Sequence, residues 1–395
     1  MRILFALNAF RPLIDGVGVS IERQANALAE RGHQIAILAP SNRFADTLDI
    51  YPNYQIYRLR AIPLPRRRQR VPLLIGRRVT RILRGFQPDV VVVNQPFLLS
   101  RVTWHAARTL GFPLVGITSM MPEWFLYNLP TLRPFAGIID QGIWRLMARY
   151  YNQCDHVVAV TGTALDLLRQ HDLVAPASVI SNGVPLNLFH PRPRDCQLVE
   201  RFQLPKKPTV LYAGRLDAEK CMSVWLQAAP LIRQQLDAHF VIGGEGSERA
   251  ALERLARSLD VADSVSFVGF QSESVYPRLF SLADAFAITS PAELQSIVTL
   301  EAAASGLPIV AAQAGALPEL VHDGVNGRLV PFGDPGALAA ALLDILTGNA
   351  LRTRMGEASR AIAASHDFCQ TVDAYEAVYQ EVAAIRRRVR QPALA

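Results

Sequence analysis

Twice along the chain a short apolar strand runs into a glycine-bearing loop and an amphipathic helix, then returns to a second apolar strand. Near the amino end, Arg2 to Ala9 (RILFALNA) reads as a buried strand and Ile14 to Gly18 as the loop. The following helix places Ile21, Ala25, Leu28 and Ala29 on one face, with Gly32 as its C-cap, and Gln34 to Pro40 (QIAILAP) is the next strand. Midway, Pro208 to Ala213 (PTVLYA) leads into the loop GRLDAEK, Gly214 to Lys220. A helix through Trp225, Ala228, Ala229 and Ile232 follows, then the strand and turn AHFVIGGEG, Ala238 to Gly246. VSFVGF, AFAITS and LPIVAA are further strands separated by helical segments. Parallel strands need crossover connections, and crossovers in one sheet are right-handed, so this alternation admits few folds. It predicts an α/β chain of two doubly wound, mostly parallel sheets.

A chain of 395 residues is long for one core. The expected junction lies at Asn182 to Pro185 or in the proline-rich HPRPRD that follows, giving domains 1–185 and 186–370. Residues 371–395 read as a helix returning to the first domain. Ligands of such sheets sit beyond the carboxyl ends of the strands, so a cleft between two such domains is the default site.

Four scattered cysteines show no C-x-x-C spacing, which points away from a disulfide framework or a zinc site and toward a reducing compartment. The opening MRILFALNAF is too short an apolar run for a signal peptide, and no run nears the roughly 20 residues that span a bilayer. A cytoplasmic protein is expected. The formal net charge of +7 fits either a solvated basic surface or an anionic partner.

Two carboxylates, Glu293 and Glu301, stand in the otherwise apolar SPAELQSIVTLEAAASGLPIVAA, Ser290 to Ala312. Glu293 falls in the loop after AFAITS. A helix is expected to start near Gln295 or Ser296 and to end before Gly306, with Glu301 in its second turn. Free backbone N–H groups of Leu294 to Val298 (Leu294, Gln295, Ser296, Ile297, Val298) at that start favour phosphate. A carboxylate accepts paired hydrogen bonds from adjacent hydroxyls. Two glutamates around a phosphate-binding helix start suit a ligand with phosphates in the middle and sugars at both ends, as in a nucleotide sugar. Spacing alone leaves open an ordinary loop residue and a salt-bridged helix residue. In GRLDAEK, Arg215 offers a planar fork and Lys220 a point charge, a pair suited to a diphosphate or simply to solvent. Gly16, Gly18 and, in GGEG, Gly244 permit close backbone approach to a ligand. The first two match a dinucleotide fingerprint poorly, since a third glycine and a terminal acidic residue are missing.

In order and spacing, GRLDAEK, GGEG, VSFVGF, the E-x7-E of Glu293 and Glu301, and GALPELVHDGVNGRLVPFGD resemble the retaining group 1 glycosyltransferases, glycosyltransferase family four, over most of Pro208 to Pro335. VISNGVPLNLFHP, Val179 to Pro191, resembles that family's interdomain segment. The resemblance implies a GT-B fold, two Rossmann-like domains facing across a cleft, with the nucleotide sugar held mainly by the second domain. It implies that Arg215 and Lys220 hold the diphosphate, Glu301 the ribose hydroxyls and Glu293 the hydroxyls of the donor sugar, without metal or cofactor. Gly116 to Trp124 (GITSMMPEW) resembles the H-x-M-P-E-N form of lipid-directed members. Ser119 stands where that form has histidine and Trp124 where it has asparagine, while Glu123 matches. Serine cannot become a cation, so acceptor handling on the Ser119 and Glu123 side is expected to differ.

A basic stretch remains. PRRRQR, Pro65 to Arg70, carries Arg66, Arg67, Arg68 and Arg70, and directly after it Ile75, Val79, Ile82, Leu83 and Phe86 recur at helical spacing. Arg77, Arg81 and Arg84 lie opposite that apolar face, and Arg78 adds to the charge. A basic amphipathic helix of this kind packs on its own sheet and can also meet an anionic membrane from the inner face of the cell. No stacking motif for nucleic acid accompanies it. The expectation is a hexosyltransferase using a nucleotide diphosphate sugar, with a membrane lipid as acceptor. A soluble small-molecule acceptor, and a non-catalytic protein that binds sugar nucleotides or anionic surfaces, are the competing readings.

Overall fold

The computed structural model describes residues 1–11, 16–63, 70–119, 121 and 136–390. The chain divides into two units. The first holds the described residues up to Ser119, Gly137 to Asn182 and those from Gln370 onward; the second holds Gly183 to Cys369 together with Met121 and Ala136. Pro185, the last residue of the first domain by sequence, lies in the second unit, next to the bridge between Val184 and Asp367.

In chain order the first unit contains β1 (Arg2–Ala6), α1 (Gly16–Glu30), β2 (Gln34–Pro40), β3 (Thr47–Ile50), β4 (Gln55–Leu59), β5 (Ala61–Pro63), β6 (Arg70–Pro72) and α2 (Gly76–Phe86). It continues with β7 (Val90–Val93), α3 (Leu98–Leu110), β8 (Leu114–Thr118), α4 (Ala136–Tyr151), β9 (His156–Ala159), α5 (Gly162–Gln170) and β10 (Ala177–Val179). Eight strands form one sheet in the order β10-β9-β8-β7-β1-β2-β4-β3, while β5 and β6 pair apart from it. All neighbours in the large sheet are parallel except β3 and β4. The central strands are covered on both faces, which is why β7 can be four valines without alternation. Strand order reverses at β1, with β2 on one side and β7 on the other.

In α1, Ile21, Ala25 and Leu28 turn to the core as their spacing requires. Gly32 adopts φ +86°, the left-handed conformation that ends helices cheaply only for glycine. One expectation is corrected here. Gly16 and Gly18 do not lie in a loop ahead of the helix but within its first turn. A helix start leaves its first amides without intrahelical acceptors, so the small residues open that end without needing a loop conformation.

The second unit contains α6 (Cys196–Arg201), β11 (Thr209–Ala213), α7 (Met222–Arg233), β12 (His239–Gly243), α8 (Arg249–Ser258), β13 (Val265–Gly269), the short α9 (Tyr276–Leu279) and β14 (Ala285–Ile288). Then come α10 (Ile297–Ala304), β15 (Ile309–Ala312), β16 (Gly327–Val330), α11 (Pro335–Thr347) and α12 (Asn349–Ala364). The last helix, α13 (Phe368–Arg390), begins in this unit and runs mostly in the first, where the Tyr379 ring meets Phe5 edge-on at 6.3 Å. The sheet is parallel throughout, in the order β13-β12-β11-β14-β15-β16. Apolar layers cover both faces. Trp225, Leu226 and Ala229 of α7 lie in one, with Trp225 edge-on to Phe240 at 5.6 Å. Phe280, Phe286 and Leu300 lie in the other. Each large side chain buried this fully contributes about 1.5–3 kcal/mol. Strand order reverses between β11 and β14, the position where a doubly wound sheet opens a crevice at its strand ends.

Candidate functional site

At that reversal the loops following β11, β12 and β14 close on one another. Gly214 donates its N–H to the Gly243 carbonyl at 2.9 Å, and Gly244 donates to Gly269 at 2.9 Å. Gly244 has φ +138°, and a Cβ there would stand 1.8 Å from the Gly214 carbonyl oxygen. A Cβ on Gly246 would stand 2.1 Å from the Leu216 carbonyl oxygen. Backbone therefore lies against backbone along GGEG, and only glycine fits there.

The GRLDAEK loop is braced from β14. Ser290 donates its hydroxyl to the Glu219 carbonyl at 3.2 Å, and Thr289 shares its hydroxyl between the Lys220 and Cys221 carbonyls, each at 3.2 Å. Beneath, Tyr212 donates to the Arg215 carbonyl at 2.8 Å, and burial pushes its phenol pKa up. These contacts hold Arg215 and Lys220 at the strand ends by their backbones.

The side chains form a charged cluster. Arg215 reaches Asp217 through Nη1 and Glu219 Oε1 through Nη2, the latter at 2.5 Å. Glu219 is 2% exposed, and its Oε2 is buried without a hydrogen bond. Lys220 Nζ lies 2.5 Å from Glu293 Oε1. The structure thus joins Lys220 and Glu293, assigned by sequence to different parts of one ligand. The Glu293 backbone is clasped in turn: its carbonyl accepts from the Ala316 N–H at 2.9 Å, and a Cβ on Gly315 would stand 2.6 Å from it.

Past Glu293 the chain enters α10 as the sequence predicts. Ser296 is the N-cap and accepts from the Thr299 N–H at 3.3 Å and from the Thr299 hydroxyl at 2.7 Å. Ile297 and Val298 occupy the first two helical positions, whose amides have no intrahelical acceptor, while Leu294 is buried and Gln295 half-buried. Glu301, 2% exposed, accepts from the Tyr276 hydroxyl at 2.8 Å through Oε2. One cluster thus presents two cations, an anion-favouring helix start and carboxylates able to accept from hydroxyls.

Sequence reasoning missed the bracing hydroxyls of Thr289 and Ser290 and four further contributors. Glu219 and Asp217 hold Arg215, and the four-residue spacing of Arg215 and Glu219 was the available signal. Tyr276 holds Glu301 but reads as core, because its ring packs on Phe189 and Phe280. Gly315 left only a glycine in an irregular run.

In the first unit, Ser119 follows β8 and accepts from Gln95 Nε2 at 3.2 Å. Asn8, beyond β1, donates to the Gln95 carbonyl at 3.4 Å and to Ser100 Oγ at 2.9 Å. A polar line thus crosses the carboxyl ends of β1, β7 and β8. Of the basic residues, Arg77, Arg81 and Arg84 are exposed on α2, with Val79, Leu83 and Phe86 buried opposite. Two others depart from the expected surface role. Arg78 is paired with Asp46 at 2.8 Å, and Arg70 is half-buried, donating to the Ala61 carbonyl at 3.1 Å. Both have partners within their own unit, which competes with a lipid headgroup for their charge. Arg66, Arg67, Arg68, Glu123 and Trp124 lie outside the described residues.

Comparison with known proteins agrees with this layout. Residues 198–362 match the family model of the glycosyl transferases group 1, and residues 14–188 match that of glycosyltransferase family 4. A D-inositol 3-phosphate glycosyltransferase of Streptomyces coelicolor is 31% identical over 332 residues, covering 76% of this chain and 71% of its own. A GDP-mannose-dependent alpha-mannosyltransferase of Mycolicibacterium smegmatis is 27% identical over 373 residues, covering 91% and 92%. Among solved structures, the sucrose-phosphate synthase of Thermosynechococcus elongatus superposes with a TM-score of 0.83 at 21% identity, covering 97% of this chain and 99% of its own.

Proposed function

The chain belongs to the group 1 glycosyltransferases of glycosyltransferase family four and has their GT-B fold, and from that premise we propose that it moves a hexose from a nucleotide diphosphate sugar to an acceptor hydroxyl, with retention of anomeric configuration. The observation that carries this reading is the closure of Gly214–Lys220 against Ser290–Glu301 at the strand reversal. In this reading the diphosphate lies against Arg215, Lys220 and the amino end of α10, Glu301 accepts from the ribose hydroxyls, and Glu293 accepts from the hexose. The acceptor hydroxyl attacks from the face that the leaving phosphate vacates, and the departing oxygen takes its proton. Arg215, Lys220 and the helix amides stabilise the charge that develops there, with no metal assigned to the task.

A GDP-hexose is the donor to test first, because a relative aligned over nearly its whole length is named for GDP-mannose. For the acceptor we favour a membrane lipid, supported by the exposed arginine face of α2. A small phosphorylated polyol is the second reading, favoured by the name of the relative at 31% identity. A thermal-shift screen of GDP-, UDP- and ADP-hexoses identifies the donor, since a ligand at 100 times its Kd adds about 2.7 kcal/mol. Transfer is then followed by the anomeric signal of the product. A donor that binds but is neither transferred nor hydrolysed would instead support a non-catalytic binding protein.

A further inference from the structure

At the amino ends of the second sheet's strands, the ends away from Lys220 and Glu293, the second unit carries a pocket of about 350 Å³. Thr209 opens β11 and Asp284 stands just ahead of β14. The two are tied there: the Thr209 N–H donates to Asp284 Oδ2 at 2.9 Å, and the Asp284 N–H donates to the Thr209 carbonyl at 2.8 Å. Lys206 and Lys207 enter the pocket just ahead of β11, Arg194 from just ahead of α6, and Arg352 from the first turn of α12. Four cations thus surround one carboxylate, Asp284.

The protein leaves most of that positive charge uncompensated. Arg194 Nη2 donates to the Pro205 carbonyl at 3.2 Å and to the Thr209 hydroxyl at 3.3 Å, both neutral, and its Nε is buried with no hydrogen bond. Arg352 donates to the Leu346 carbonyl at 3.2 Å and to Asn349 Oδ1 at 2.8 Å. Its Nε lies 3.8 Å from Asp284 Oδ1, beyond hydrogen-bond reach. Lys207 has a close carboxylate, Asp237 at 2.8 Å, which is itself largely exposed. Lys206 is exposed, and among the described residues its side chain has no hydrogen-bond or ion-pair partner. His239, at the start of the neighbouring β12, feels the excess. Burial, then Lys207 and Arg194, lower its pKa to about 4 against the smaller opposing pull of Asp263 and Asp237.

A pocket of this size takes a small molecule rather than a polymer. Guanidinium and ammonium groups together select phosphate oxygens. Among the lining residues there is no aromatic ring on which a base could stack. A bare phosphate ion would use the cations and leave most of the volume to water, with the Asp284 carboxylate opposing it. A phosphorylated sugar uses both, since a carboxylate has lone pairs to spare for hydroxyls.

We propose that this pocket binds a small phosphorylated sugar or polyol, its phosphate among Arg194, Lys206 and Arg352 and a hydroxyl on Asp284. The site is separate from that of the donor, because β11 and β14 run from this pocket to the loops of Arg215 and Glu293 and about 13 Å of strand lies between. The inference does not rest on the glycosyltransferase reading.

The test is isothermal titration of the full chain with glucose 6-phosphate, inorganic phosphate or glucose at constant pH and ionic strength. Glucose 6-phosphate should saturate the protein with a Kd of about 1 mM or tighter, at least about tenfold tighter than inorganic phosphate or glucose. Lys206→Ser, at an exposed and unpartnered position, should weaken that binding about three- to tenfold, and Arg352→Ser about tenfold or more. Asp284→Asn should tighten inorganic phosphate and narrow the advantage of the sugar phosphate. Lys220→Ala, which removes a cation from the donor site, should leave glucose 6-phosphate binding unchanged. Absence of saturable binding, inorganic phosphate binding as tightly as glucose 6-phosphate, full binding by both Lys206→Ser and Arg352→Ser, or loss of binding in Lys220→Ala would each overturn the proposal.

Discussion

Glu293→Gln separates two roles that its contact with Lys220 ties together. Without ligand the two side chains are 2.5 Å apart and 17% (Lys220) and 10% (Glu293) exposed. Water screens such a pair only in part. It is worth more than a surface pair, about 0–1 kcal/mol, and less than the 3–5 kcal/mol lost when a fully buried pair is broken; about 1–2 kcal/mol is a fair magnitude. A diphosphate that takes Lys220 must first break the pair, and it brings negative charge toward Glu293. The neutral amide removes both costs, so the variant should bind the bare nucleoside diphosphate about 5–30-fold more tightly than the wild type. Turnover should move the other way, falling by about 10²-fold, because the hexose loses its carboxylate partner. Isothermal titration with the nucleoside diphosphate and steady-state transfer rates measure the two quantities separately. Weaker binding together with wild-type turnover would refute the assignment of Lys220 to phosphate and of Glu293 to sugar.

Tyr276→Phe removes a hydrogen bond to the buried Glu301 carboxylate and should cost about 1.5–3 kcal/mol of stability, with weaker nucleoside diphosphate binding; urea unfolding and titration check both. Gly244→Ala should destabilise severely, because its Cβ would overlap the Gly214 carbonyl, whereas Gly333→Ala, at φ +81° with open space around it, should cost only about 1–2 kcal/mol by the same unfolding assay. His239 is pushed down to about 4 by burial, with Lys207 and Arg194 adding to the effect. Its folded pKa lies below the unfolded value near 6.5, so the unfolded chain binds the proton first. The stability it contributes is present above pH 6.5 and is lost as pH falls through 4. In His239→Gln the decline of the urea midpoint across that window should be shallower, though not absent, because burial also lowers the pKa values of His156 and His366. An unchanged slope would mean that His239 is open to water.

The two sheets were legible because strands covered on both faces must be almost wholly apolar, as VVVV and HFVIG are, and because the turns between them carry glycine. A helix start near Gln295 or Ser296 was legible, and the structure places the N-cap at Ser296, whose hydroxyl accepts from the Thr299 N–H. β3, β5 and β6 were not, because three or four residues carry no readable period, and their pairing is fixed by distant partners. The cations of GRLDAEK stood out, but the acids that hold them did not, since an Asp or Glu in a charged loop reads as solvated until its burial is known. Least readable of all were the hydroxyls of Thr289 and Ser290, which bond to main-chain oxygens about 70 residues away in sequence. Those bonds bear on how the site can work. They fix Glu219, Lys220 and Cys221 by backbone, so the position of the loop does not depend on which charges are paired across it. In the proposed reading, Arg215 and Lys220 would exchange carboxylates for phosphate while these bonds keep the loop backbone in place. That is also why Glu293→Gln is expected to alter binding and turnover while the fold of the second unit is kept.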